Sequence, residues 1–274
     1  MIKANIFNFT SAQFIRIKKN FISLLSNFTS KIFLQIFFPS LMIIVWGVES
    51  FGIWIFVTAL PSTFTFLNLH FSYAARIEMT MNYAKKNFKL LNLNFQNGFG
   101  LVIMNMVIYT ILCLSFFLIS DFKLEIFKNI NINEIKIVLL LILISFYFSI
   151  FDSILSTGIC YWGKINIPTY IKTIADLCLK ILIILSGLFF DSLIYPAIIY
   201  FVVSIIRTSV LYYYFLVNKK HVELSVKLIN KKTSFKLFKL SLSFYAETIS
   251  AIVKHNLFVV ILGIFYSAEV VGLI

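Results

Sequence analysis

Seven apolar runs of helical length dominate the chain and leave it few ways to fold. They lie at about Phe21–Val48, Phe51–Phe71, Gly98–Ser120, Ile137–Thr157, Pro168–Phe190, Ser192–Val217 and Leu240–Gly263. An eighth begins near Ala268 and reaches Ile274. Each full run is close to the ~20 residues a helix needs to cross the hydrocarbon core. The runs are continuous instead of alternating, which favours helices over barrel strands, and a helix satisfies its own backbone groups in lipid. Composition agrees: 60% of residues are hydrophobic and 13% charged, about half the charge of a soluble domain. A soluble fold would leave large apolar patches in water. The reading is an all-α polytopic membrane protein.

The formal net charge of +13 invites a nucleic-acid partner, but that needs basic residues gathered on one face of a folded domain. Here they lie in the short connections. With a cytoplasmic N-terminus, 17 Lys and Arg fall inside (Lys3, Arg16, Lys18, Lys19, Lys31, Arg76, Lys85, Lys86, Lys89, Lys164, Lys219, Lys220, Lys227, Lys231, Lys232, Lys236, Lys239), against Lys123, Lys128 and Lys136 outside. The positive-inside rule therefore orients the chain N-in, as a multi-pass protein of the cytoplasmic (inner) membrane. Cys113, Cys160 and Cys178 form no CxxC and have no His cluster nearby, so neither a disulfide framework nor a zinc site is expected. No cleavable leader pattern precedes the first run. Seven spans and a stub read as a piece of a longer product.

In this topology the stretch WGVESFGIW, Trp46 to Trp54, is a very short outer turn. A related stretch, FYSAEVVGLI, sets Glu269 and Gly272 in the same relative places as Glu49 and Gly52, six spans later and at the same end. Glycine permits tight backbone geometry there, and the recurrence points to an internal repeat of the kind found in secondary transporters. The chain then divides into a six-helix lobe (1–217), a basic cytoplasmic connection (218–239) and the start of a second lobe (240–274). The connection suits an amphipathic helix on anionic lipid, or a plain basic loop.

Four segments carry a family resemblance: the helix KIFLQIFFPSLMIIVWG after a basic N-terminus; the turn Gly47, Glu49, Phe51, Gly52 and Trp54; the segment NLHFSYAARIEMTMNYAKKNF; and a seventh helix opening as FKLFKLSLSFYAETISAIVKHN and ending at LGIFYSAEVVGLI. With these the chain resembles the O-antigen type polysaccharide flippases of the multidrug/oligosaccharidyl-lipid/polysaccharide superfamily. The resemblance implies two helical lobes around a central cavity. It also implies translocation of a polyprenyl-pyrophosphate-linked oligosaccharide, with other polysaccharide-assembly membrane proteins as partners and no cofactor. Where that family often has an acidic residue and a glycine at the end of span 2, this chain has Asn68 and His70, so no role of that acid is carried over.

Ionisable residues within spans are the candidate site, because charge in hydrocarbon is costly unless paired or facing water. Lys172, Asp176 and Lys180 recur every four residues of span 5 and share a face. Lys172 can snorkel to the interface, whereas Lys180 lies near mid-membrane. Arg207 in span 6 suits phosphate or pairs with Asp176 or Asp152. In span 7, Glu247 and Lys254 share a face and His255 sits about 100° round the helix. Lys172, Lys180, Arg207 and Lys254 are thus the expected substrate contacts. Asp176, Glu247 and His255 are candidates for ion pairing or coupling. Competing readings are a multidrug exporter or lipid II flippase, a membrane glycan polymerase or acyltransferase, and a non-functional remnant. The enzyme reading needs a nucleophile–base pair or metal cluster, and the longest outer connection, 121–136, holds neither His nor Cys.

Overall fold

The computed structural model describes residues 11–63, 70–119, 127, 131–252, 258–266 and 268–272. Among them regular structure is entirely helical: α1 (Ser11–Thr63), α2 (Phe71–Ala84), α3 (Phe88–Ile119), α4 (Ile132–Cys160), α5 (Asn166–Phe189), α6 (Ile194–Asn218), α7 (Lys231–Ile252), α8 (Phe258–Phe265) and α9 (Ala268–Gly272).

The first element is a hairpin. Gly47, with φ 78 and ψ 165, breaks α1 into two arms, and only glycine adopts that backbone region without strain. Thirteen residues of straight helix would separate Phe38 from Phe51 by about 20 Å, yet their ring centroids lie 6.3 Å apart. Trp46 and Trp54 meet edge to face at 6.0 Å. Predicted span 1 and predicted span 2 as far as Thr63 are these two arms, residues 64–69 lie outside the described residues, and the expected tight turn is in place.

Interhelical hydrogen bonds then set directions. Asn27 Nδ2 donates to Thr173 Oγ1 (2.7 Å) and the Asn166 amide donates to Asn20 Oδ1 (3.0 Å), each 146 residues apart. A constant offset means that the first arm of α1 and α5 run parallel. Likewise Ser192 donates to Glu134, Arg207 to Asp152 and Lys164 to Asn218, at offsets of 58, 55 and 54, so α4 and α6 are parallel. The described chain thus has two ends. One gathers Arg16, Lys19, Tyr83, Phe88, Trp162, Lys164 and Lys220; the other gathers the Gly47 turn, Glu134, Ser192 and α9. The first is the basic end.

Local chemistry explains the helix limits. Asn131 caps α4 by accepting from the Asn133 amide, and Asn87 caps α3 by accepting from Leu90. Pro168 and Pro196 sit in first turns, where a missing amide costs nothing. Two apolar clusters hold the bundle. One, toward the far end, holds Met42, Trp54, Phe56, Val138 and Ile183; the other, toward the basic end, holds Phe71, Phe95, Ile154, Phe215 and Leu237. The outward faces are apolar as well: Ile44 is 78% exposed and Phe189 75%, an arrangement for acyl chains.

Four helices among the described residues are long and apolar enough to cross a membrane: Gln13–Pro61 of α1, Phe88–Ser115 of α3, α4 and α6. One of these, α1, accounts for two of the predicted spans. The predicted span 5 is present as α5, but every 18-residue window within it contains Lys172, Asp176 and Lys180. Those charges, not helix length, set α5 apart.

The predicted inter-lobe connection is helix-free over most of its length. Residues 219–230 carry no helix, and α7 starts at Lys231, inside the stretch read as connection. Polar residues at the start of α3 clamp it as a strap. Asn97 Nδ2 donates to Leu228 O (3.1 Å) while Asn97 Oδ1 accepts from the Asn230 amide and Ser234 Oγ, both at 2.8 Å. Gln96 Oε1 accepts from the Leu228 amide and Asn92 Oδ1 from the Glu223 amide. Unpaired amides would otherwise compete for helix or water. Replacing Asn97 by Ala removes three of these bonds, at roughly 1 kcal/mol each. Tryptic cleavage at Lys227 is expected to rise on the order of ten-fold or more; an unchanged cleavage rate would mean that the strap is held by other contacts.

Candidate functional site

The two arms of α1 diverge from the Gly47 turn, and α5 and α6 close the gap to leave a cavity of about 680 Å³. Its polar wall is Lys31 and Gln35 on the first arm, Thr58 on the second, Asp176 and Lys180 on α5, and Tyr200 on α6. Spacing explains the convergence. Lys31 and Gln35 are four apart, as are Asp176 and Lys180, so each pair presents one helix face. The parallel packing of the first arm with α5 brings those faces together.

Depth follows from helix rise. Lys180 lies nine residues from Phe189, about 14 Å from that end of α5. Its Nζ sits 3.8 Å from the centroid of the Phe38 ring, a cation–π contact that offsets part of its lost hydration. Arg207–Asp152 and Lys236–Glu78 are ion pairs among the described residues, and neither involves the charges of the cavity wall. Lys31, Lys180 and Asp176 therefore line the cavity without an ion pair within 4 Å, and their formal charges sum to +1. Unpaired charge at this depth requires water or a ligand beside it.

Among the residues singled out from the sequence, Lys180 and Asp176 come together in this cavity. Lys172 is exposed on α5 and is not in the cavity wall. Arg207 is half-buried and bound to Asp152, with Nε to Oδ2 at 2.6 Å and Thr208 Oγ1 donating to Oδ1 at 2.7 Å. Of the two partners open from the sequence, the structure selects Asp152, and that pairing neutralises the guanidinium. Lys254 and His255 lie outside the described residues; Glu247 lies in α7 with its side chain outside them.

Sequence reasoning missed Lys31 by counting it among cytoplasmic connections. The signal was there: Lys31 and Gln35 interrupt an apolar run at helical spacing, upstream of Pro39. Gln35, Thr58 and Tyr200 were missed because single neutral polar residues in a span carry little weight until their neighbours are known. Among the described residues no three His, Cys, Asp or Glu converge to hold a metal.

At the far end of the bundle the two related turns meet backbone to backbone. A Cβ added at Gly52 would fall on the Ala268 carbonyl, and one added at Gly272 would fall on the Val48 carbonyl. Val48/Gly52 and Ala268/Gly272 thus meet reciprocally, each glycine taking in the backbone four residues before the other. No family model matches the chain, and neither a curated protein nor a solved structure is significantly similar to it.

Proposed function

We propose that the protein moves a polyprenyl-pyrophosphate-linked oligosaccharide across the cytoplasmic membrane, with the basic end in the cytoplasm. The observation that carries the reading is the cavity in which Lys31, Lys180 and Asp176 stand unpaired. A lipid-linked sugar presents a pyrophosphate beside a hydroxyl-rich head. Dragging either through hydrocarbon forfeits hydrogen bonds to water at several kcal/mol per group. In the proposed route, Lys31 and Lys180 take the phosphate charge, while Gln35, Thr58 and Tyr200 exchange hydrogen bonds with sugar hydroxyls. The polyprenyl tail stays in lipid. The basic residues at one end fit the positive-inside rule. The glycine contact at the other end fits a closed outer side that must part for release, as in alternating access. The net positive charge favours an anionic cargo over the cationic drugs of an exporter.

The test is the pair of substitutions Lys31→Ala and Lys180→Ala in a strain whose surface polysaccharide depends on this protein. Surface glycan is expected to fall about ten-fold or more, with lipid-linked precursor accumulating and protein level in the membrane unchanged. Lys85→Ala, at the α2–α3 turn, is the matched control. Wild-type glycan display by the cavity variants overturns the reading.

A further inference from the structure

A second cavity, of about 290 Å³, opens at the basic end between the start of α1 and the α4–α5 turn, lined by Ile15, Arg16, Lys19, Lys164, Asn166 and Ile167. Two of its three cations, Arg16 and Lys164, are held in place. Arg16 Nη1 donates to Trp162 O at 3.0 Å, and Lys164 Nζ donates to Asn218 Oδ1 at 2.8 Å while lying 4.2 Å from the Trp162 ring centroid. Lys220 approaches the same ring at 5.2 Å. Asn20 fastens the turn beneath, donating to Gly163 O and accepting from the Asn166 amide. Burial first, then the charges of Lys220, Arg16 and Lys19, hold the Lys164 ammonium below its usual range. These three neighbouring charges are all positive. Such a gathering of like charges favours an anion beside it.

We propose that this pocket binds the phosphodiester of an anionic glycerophospholipid in the adjacent leaflet. Charge complementarity names the headgroup. The apolar surroundings name its source: Phe14 (62% exposed), Ile15 (54%) and Phe21 (63%) flank the cations along α1 and offer a track for acyl chains, which a soluble phosphate would not use. An indole at this level is typical of the membrane interface. The Asn166 amide is already taken by Asn20, and the basic side chains supply the charge that holds the phosphate. The inference requires membrane insertion and is independent of which cargo the larger cavity carries.

The experiment is native mass spectrometry of the full chain in detergent, titrated with phosphatidylglycerol or phosphatidylcholine. Wild type is expected to retain phosphatidylglycerol about ten-fold more strongly. Lys19→Gln with Lys164→Gln abolishes that preference, while Lys85→Gln with Lys89→Gln, which removes equal charge from the same end, preserves it. Equal losses in both double variants would reduce the effect to bulk charge and overturn the site. Displacement of phosphatidylglycerol by millimolar inorganic phosphate would make the ligand a soluble anion and overturn the lipid assignment. Should the double variant fail to fold, Lys164→Gln alone, which keeps a donor for Asn218, is expected to lose preference in part; no change there also overturns the site.

Discussion

Asp152→Ala is expected to destabilise the bundle by about 3–5 kcal/mol, because it strands the Arg207 guanidinium between α4 and α6 without a counter-charge. The pair is well shielded, with side-chain exposures of 11% for Asp152 and 15% for Arg207. Thr208 also loses its acceptor, and a buried donor left unmade costs about 1–3 kcal/mol on its own. For a chain of this size the shift corresponds to roughly 10 °C or more in Tm, measurable by tryptophan fluorescence in detergent. The double variant Asp152→Leu with Arg207→Met should recover most of the loss, since desolvating two charges offsets much of their attraction. If Asp152→Ala melts within a degree or two of wild type, the guanidinium has found water, and the pair belongs to a wet site instead of a dry helix contact.

Gly52→Ala is expected to release α9 from α1. The added Cβ would meet backbone, the Ala268 carbonyl, and not the end of a side chain that can swing aside. Overpacking of this kind costs typically 1–3 kcal/mol, and more where backbone must move. Amide exchange across 268–272 should quicken on the order of 100-fold, while the cluster around Phe95 and Phe215 stays protected. Gly47→Ala separates strain from collision at the same end. Nothing lies within 4 Å of a Cβ there, but φ is +78, so its cost of about 1–3 kcal/mol is conformational and should leave the 268–272 amides slow. Unchanged exchange in Gly52→Ala would show that the two turns do not close on each other.

Much of the architecture was legible before any coordinates. The lengths of the apolar runs located the arms of α1 and the helices α3 to α6, because a helix in lipid must bury its backbone within itself. The pair of E-x-x-G turns was legible as a recurrence, though nothing in the sequence said that the two copies would touch. For the site, helical spacing placed Asp176 and Lys180 on one face. It also placed Lys172 there, but Lys172 is exposed on α5 and stands outside the cavity wall, because only part of the polar face of α5 borders the gap between the arms of α1.

Periodicity, run length and charge asymmetry are properties of a segment and its solvent, and they alone determined that this chain is helical, apolar-surfaced and basic at one end. Tertiary structure decided which charges neutralise each other and which stand open: Arg207 with Asp152, Lys236 with Glu78, and Lys31 beside Lys180 in the cavity. The physical reason is axial register. A shift of one helical turn, about 5.4 Å, between α4 and α6 would break the 2.6 Å contact. That register is set by packing summed over many side chains, not by the few residues that meet.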